Sequence, residues 1–433
     1  MLGTLFRKQR QGNGSPMRNE YGDQMQRGTN LGRLGDFNQA VIFESIRRAR
    51  DGVSRVELAE STGLSPQTIS NVVRRLLDDG LVREDRTVVS GPGKPRTVLE
   101  LEADRLMAIG IHFDPGLISV VMVDLRGDVV ASERLDTPSV EDPESTMALI
   151  AKSAEALIAE SGQARDRIVG VGVAVPGPLD SGRGVVVGPP LLDGWTEVEI
   201  VKPLKDLLRL DVVMEKDTIA ASIAELWNGT NEENRANFVC VYGGTGVGVG
   251  IVLGGEVMRG VSNNAGEIGH YSVGEETFPC VCGRNDCLAG ALSFDNLSRQ
   301  ASAAGLDLGA NADGTVAERA AALNRLVQLA GEGNEAAVEL VIRCASLIAN
   351  MVAQLVNALD VDRVVIGGPV WSRVSDLCLD TVAGIINERF TAKAIHGIRV
   401  ETSKLGHRNA AIGGACAVLD AALSPKASAL LLR

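Results

Sequence analysis

Apolar residues recur at helical spacing through the first hundred positions, then gather from residue 107 into short runs broken by glycine. Over residues 36–50, Val41, Ile42, Ile46 and Ala49 share one helical face, with Asp36 set to cap the start and Asp51-Gly52 to end it. Ser54 followed by Glu57 is a capping box, so a second helix opens there and carries Val56, Leu58 and Ala59. After a turn at Gly63-Leu64, Ser65-Pro66 supplies the N-cap and first residue of a third helix. Its buried stripe is Ile69, Val72, Val73, Leu76 and Leu77, and Gly80 stops it. Residues 81–83 and 97–101 read as two strands joined by the glycine- and proline-rich loop 90–96.

Three helices and a two-stranded wing make a winged helix-turn-helix. Opposite its stripe, the third helix, starting at Ser65, presents Gln67, Thr68, Ser70, Asn71, Arg74 and Arg75. Short polar groups suit base edges and arginines suit phosphates, which is what a major-groove recognition helix requires. Lys94 and Arg96 on the loop suit a minor groove or phosphate. A small protein-interaction domain fits the same helical pattern.

From Met107 the pattern becomes strand, turn and helix, and it occurs twice. In the first half, strands over 107–113 and 118–125 flank Asp114-Pro115-Gly116, and a third strand follows Arg126-Gly127-Asp128. A helix over 143–161, buried strands at 168–176 and 211–215, and a helix over 217–229 capped by Asp217 complete that half. In the second half, strands at 238–242 and 248–253 flank Gly243-Gly244-Thr245-Gly246. A helix around 336–359 then leads into strand 363–366 and Gly367-Gly368. Two α/β halves, each with a strand–turn–strand hairpin, describe the duplicated actin-like ATPase layout, with a cleft between the lobes. The expected organisation is a disordered segment over 1–29, a DNA-binding domain over 30–101 and a two-lobed domain over 102–433. Lobe one covers about 102–230 plus a terminal helix near 408–423, and lobe two about 231–407.

Charge sharpens this division. Residues 1–100 hold 16 Lys/Arg against 12 Asp/Glu, while the remaining residues hold 27 against 43. A basic head on an acidic body fits a DNA-contacting head, which the net charge of −12 conceals. No apolar run reaches transmembrane length and residues 1–28 lack the apolar core of a signal peptide, so a cytoplasmic protein without a membrane partner is expected.

His270, Cys280, Cys282 and Cys287 lie within 18 residues and form a complete tetrahedral ligand set for structural zinc. Gly283 permits a tight turn between ligands. A reduced, metal-free loop is the alternative, and a disulfide is disfavoured by the isolated thiols elsewhere, Cys240, Cys344, Cys378 and Cys416.

The motifs Ala265-Gly-Glu-Ile-Gly-His270, Cys280-Val-Cys282 with Cys287, and Val175-Pro-Gly-Pro-Leu-Asp180 carry a resemblance to the ROK family of repressors, open reading frames and kinases. The resemblance runs from about Leu31 to Leu423. With the winged helix in front, the chain resembles the sugar-responsive repressor branch, relatives of the N-acetylglucosamine and xylose repressors. That resemblance implies zinc on His270, Cys280, Cys282 and Cys287, a sugar site around Asp217, Glu267 and His270, and a homodimer or homotetramer. Its partners would be double-stranded operator DNA and a sugar or sugar-phosphate effector.

Several positions depart from the family's kinases. Where their first hairpin reads Asp-x-Gly-Gly-Thr, this chain has His112-Phe113-Asp114-Pro115-Gly116. A carboxylate then faces the phosphate position and a proline removes an N–H donor, so kinase activity is not expected. The family's Glu-Asn-Asp is Glu215-Lys216-Asp217, and its Cys-Leu-Glu is Cys287-Leu288-Ala289. Asp217 matches the catalytic base position but is equally suited to capping a helix. Lys216 suits an anionic ligand, or pairs with Glu215 or Asp217. Trp195 either stacks on a sugar or packs, and Asn264 joins the ligand-binding candidates. The reading is a sugar-responsive repressor; a bifunctional sugar kinase that also binds DNA is the alternative.

Overall fold

The computed structural model describes residues 31–88, 95–114, 116–135, 142–189, 195–229, 237–244, 246–274, 278–309 and 316–423. The expected disorder of 1–29, the wing residue Lys94 and the hairpin residues Pro115 and Thr245 lie outside these.

The head begins with helix α1 (Leu31–Arg48). Asp36 therefore sits inside the helix and does not cap it; no proline or β-branched residue between Leu31 and Asp36 forces a later start. The short strand β1 (Val53–Ser54) leads into α2 (Arg55–Thr62). The capping box forms as spaced: Glu57 N–H donates to Ser54 Oγ, and Ser54 N–H donates to Glu57 Oε2 at 2.7 Å. Helix α3 (Pro66–Asp78) starts on Ser65, whose Oγ accepts from Thr68 N–H, and buries Ile69, Val72, Val73 and Leu76. Strands β2 (Val82–Val88) and β3 (Arg96–Leu101) pair antiparallel, with β1 on the far side of β3. The first wing strand runs five residues beyond the expected Arg83. Arg83 and Arg86 both reach Glu100 across the pair, at 2.6 and 2.9 Å, so charge pairing extends a strand that lacks apolar alternation.

The body contains two five-stranded sheets of one topology. In the first, β4 (Met107–Asp114), β5 (Leu117–Asp124) and β6 (Val129–Leu135) form an antiparallel meander. Helix α4 (Pro143–Glu160) follows, and β7 (Ile168–Val175) joins β4 in parallel. A small sheet of β8 (Leu179–Asp180), β9 (Val185–Val187) and β10 (Glu197–Glu199) and helix α5 (Val201–Leu208) precede β11 (Val212–Lys216), which adds parallel to β7. Helix α6 (Asp217–Asn228) leaves from the end of β11. The second sheet repeats the plan with β12 (Phe238–Gly243), β13 (Val247–Leu253) and β14 (Glu256–Val257) as meander. Four helices follow, α7 (Leu288–Ala291), α8 (Phe294–Ala303), α9 (Val316–Gly331) and α10 (Glu335–Leu359). Strand β15 (Arg363–Gly367), helix α11 (Trp371–Arg389) and strand β16 (Arg399–Thr402) close the sheet, giving orders β11-β7-β4-β5-β6 and β16-β15-β12-β13-β14. Terminal helix α12 (Asn409–Leu423) returns to pack on the first sheet and on α6.

Helix α10 corrects one expectation: it is long and apolar enough to cross a membrane. It is instead a core helix of the second lobe, packed on α9 and α11 through residues such as Leu340, Val352 and Val356.

Helix α6 is wedged between the two sheets. A Cβ on Gly250 of β13 would collide with Thr218 O and Ser222 Oγ, and one on Gly413 of α12 would collide with Ala220 O. Only glycine allows these backbones to approach so closely. At its other end α6 meets the head. Ile42, Phe43 and Ile46 of α1 share one apolar cluster with Ile219 and Ile223 of α6 and Ile412 and Leu419 of α12. Arg47 is buried there, 3% exposed, its guanidinium carbon 3.9 Å above the Trp227 ring centroid. It donates to Trp227 O at 2.7 Å and pairs with Glu44 at 2.7 Å. A buried guanidinium requires this complete pairing.

Arg47→Ala is expected to weaken docking of the head by about 1–3 kcal/mol. Hydrogen exchange should quicken in α1 and stay unchanged in β12 and β15; equal exchange in both proteins would count against this joint.

Candidate functional site

The segment after β14 builds the cysteine cluster. The donor atoms of His270, Cys280, Cys282 and Cys287 all lie within 4.8 Å of one another. His270 Nδ1 is 3.4 Å from Cys280 Sγ, and Cys282 Sγ is 3.5 Å from Cys287 Sγ. Backbone bonds hold the ligands in place: Cys280 N–H donates to Arg284 O, and Gly283 N–H to Cys280 O, both at 2.9 Å. Gly283 takes φ +87°, a turn that disfavours a side chain. Arg284 reaches back to His270 O at 3.1 Å while paired with Asp286. Tetrahedral zinc with bonds of about 2.0–2.3 Å places its ligand atoms roughly 3.4–3.8 Å apart, so this donor set and spacing suit it. All seven cysteines are free thiols. Cys240, Cys378 and Cys416 are buried, as expected of core thiols, and burial pushes the Cys344 thiol up to about 12.

The cleft is assembled at the junction of β11 and α6. Lys216 occupies the N-cap position by its backbone, so Asp217 is the first helical residue and not the cap. Its Oδ1 accepts from Thr218 N–H at 2.7 Å. Burial pushes the Asp217 carboxyl up to about 7, against the pull of Lys216 and the Thr218 N–H; Asp114 and Glu267 push it further. Lys216 pairs with neither partner that the sequence suggested. Its Nζ lies 2.5 Å from Glu267 Oε1, while Glu215 is held by Arg259 at 3.0 Å. The side chain of Lys216 is 3% exposed and that of Glu267 is 57% exposed.

Other candidates fall into structural duties. Asn264 Oδ1 accepts from Leu179 N–H, and its Nδ2 donates to Leu179 O, each at 2.8 Å. Its amide thus stitches this segment to β8. Trp195 is 2% exposed and stacks on Phe113 with centroids 4.9 Å apart, so packing, not a sugar face, occupies its ring. Ala289, where the family carries an acid, donates its N–H to Gly269 O, beside His270. Gly177 is a site residue that the sequence reading did not single out. A Cβ there would stand 3.2–3.4 Å from Asn264 Oδ1, Lys216 Cε and Glu267 Oε1. Its place in Pro176-Gly177-Pro178 was the available signal.

On the hairpin side, Asp114 Oδ1 accepts from Gly116 N–H at 2.9 Å. Its Oδ2 is 2.9 Å from where a Cβ on Gly244 would stand, so this carboxylate faces the second hairpin. His112 is buried, and its Nε2 is 3.3 Å from Tyr242 Oη across the two sheets. Burial pushes His112 down, against Asp114, and pushes the Tyr242 phenol well up, so both are neutral at pH 7. Gly368 takes φ +103° against Gly243 O, so packing alone explains that glycine.

On α3, Gln67, Asn71, Arg74 and Arg75 are exposed, and Thr68 and Ser70 are half-buried. Gln67 Nε2 donates to Asn71 Oδ1 at 3.2 Å. Ser65 and Ser70 are committed locally, the first to the cap and the second to Pro66 O at 2.8 Å. Arg96 is half-buried at the base of the wing.

Against known proteins, residues 36–88 match the MarR family and residues 109–421 the ROK family. The xylose repressor of Caldicellulosiruptor bescii is 25% identical over 398 residues, covering 90% of this chain and 97% of the relative. A crystal structure of a ROK family transcriptional regulator, a homolog of the E. coli MLC protein, aligns with a TM-score of 0.70 and 21% identity. That alignment covers 90% of this chain and 96% of the other. A ROK family glucokinase from Streptomyces griseus, solved with glucose and AMPPNP, aligns with a TM-score of 0.57 and 26% identity over 71% of this chain and 98% of its own. The matched span takes in both repeated sheets and the cysteine cluster: this chain belongs to the ROK family.

Proposed function

We propose that this protein is a DNA-binding transcriptional repressor whose ROK body senses a sugar. One observation carries the reading: α6 begins at Asp217 in the cleft and, in its last turn, sets Trp227 against Arg47 of the head. Binding at one end therefore bears on a helix that touches both sites. Asp217, Glu267 and His270 would contact the effector, and Gln67, Asn71, Arg74 and Arg75 the major groove. Arg96 and Lys94 would serve the wing contacts.

The effector closes the lobes, tilts α6, and separates paired recognition helices within a homodimer or homotetramer. Both helices bind together only when their half-sites lie about one helical turn, or a multiple, apart, so a small tilt has a large effect on operator affinity. A cytoplasmic location follows from this role. His270, Cys280, Cys282 and Cys287 would hold zinc, which fills its four positions with protein ligands and supplies rigidity. His270 turns Nδ1 toward the thiols, leaving its other nitrogen for the effector.

Kinase activity is disfavoured by Asp114, because a carboxylate near a phosphate costs roughly 1–4 kcal/mol at effective dielectrics of 20–80. The likeness to a glucokinase and the retained Asp217 favour the bifunctional alternative.

The wild-type protein is expected to shift its own promoter DNA in a salt-dependent way. Asn71→Ala and Arg74→Ala should each weaken that shift by about 1–3 kcal/mol; no shift at any salt would sink the repressor reading. Metal analysis after gentle purification should return about one zinc per chain, as one four-ligand site requires. Less than half that amount would remove the zinc assignment. Incubated with ATP and a panel of hexoses, the protein should release no ADP. Turnover that disappears in Asp217→Asn would establish the kinase alternative.

A further inference from the structure

We infer that the Lys216–Glu267 pair is a charge filter that selects an uncharged sugar over a phosphorylated or otherwise anionic one. This rests on the sugar-sensing reading above and names the ligand class for that site.

At first sight, a lysine beside the sugar-site acid suggests the opposite preference. The geometry reverses it. The Lys216 side chain is 3% exposed, while that of Glu267, its partner at 2.5 Å, is 57% exposed. An incoming ligand therefore meets the carboxylate, with the cation behind it. Lys216 has no freedom to swing outward. Its Nζ is tied to Glu267 at 2.5 Å and lies 3.4 Å from Ala265 O, and its Cε packs against Gly177. A buried ammonium requires such partners, and moving it to meet an anion would break them.

The remaining charges act in the same direction. Asp217 is half-buried at the start of α6, and the carboxylate of Asp114 faces Gly244 from the first hairpin. Arg259, a second cation beside this junction, is matched by Glu215 at 3.0 and 3.2 Å. His112 and Tyr242 contribute no positive charge at neutral pH. Among the described residues named at this junction, the carboxylates thus offer acceptors for sugar hydroxyls, and both cations are already matched. A like-charge encounter with Glu267 at about 6 Å, less the attraction of the ammonium 2.5 Å behind it, weakens binding roughly 1.4- to 4-fold per unit charge at effective dielectrics of 20–80.

Calorimetric titration of the full-length protein at pH 7.5 tests this with matched pairs. Suitable pairs are glucose with glucose 6-phosphate, N-acetylglucosamine with its 6-phosphate, and glucuronamide with glucuronate, the last adding charge without bulk. The expected result is a neutral member that binds wild type at least twofold more tightly than its anionic partner, with the larger gap for the doubly charged phosphates. The anion should gain at least tenfold in affinity for Glu267→Gln, where the ammonium is no longer covered by a negative charge. Lys216→Met should weaken anions further, and its DNA shift serves as a check on folding. An anion binding wild type as tightly as its neutral partner, or gaining nothing in Glu267→Gln, overturns the filter. Binding of neither member of any pair overturns the sugar reading itself, and the filter with it.

Discussion

Backbone contact around α6 is the constraint on which the rest depends. The helix sits so close to β13 and to α12 that Gly250 and Gly413 admit no side chain. Close packing of this kind transmits displacement, because the interior has little free volume to absorb it. A helix held on both sides cannot shift without moving a sheet, the terminal helix, or the head that Arg47 fastens to Trp227. The start of α6 and the head are thus linked by packed groups.

The same junction explains how a kinase-like body can serve as a sensor. Asp217 remains at the helix start with a carboxyl raised by burial, a property useful to a base and equally to a group that hydrogen-bonds a sugar. The hairpin that would cradle phosphate instead carries Asp114, and the floor between the sheets is closed by the neutral pair His112 and Tyr242. Beyond this junction, His270 and the three clustered cysteines bring their donor atoms within 4.8 Å of one another, with His270 Nδ1 turned to Cys280 Sγ.

Legibility in the sequence followed the range of each interaction. The capping box at Ser54 and Glu57, the Ser65-Pro66 start, the stripe of α3 and the duplicated strand–turn–strand grammar are local signals, and all appear in the fold. The first wing strand was under-read because its register depends on ion pairs with a strand further along, not on alternation. Asp217 was misassigned as a cap because a carboxylate at a helix start looks the same whether it is the last extended residue or the first helical one.

Short-range chemistry therefore determined, from sequence alone, the starts of α2 and α3, the two similar halves, and the grouping of His270 with Cys280, Cys282 and Cys287. Tertiary structure decided the partners. Arg47 is buried because the fold brings Trp227, 180 residues away, against it. Trp195 became core because Phe113 lies across it, and Asn264 became a stitch because Leu179, 85 residues distant, presents its backbone. Lys216 had two acids beside it in sequence and took neither, because β11 and the start of α6 direct its side chain to Glu267. A long side chain pairs with whichever charge the fold brings within reach, and sequence adjacency does not fix that distance.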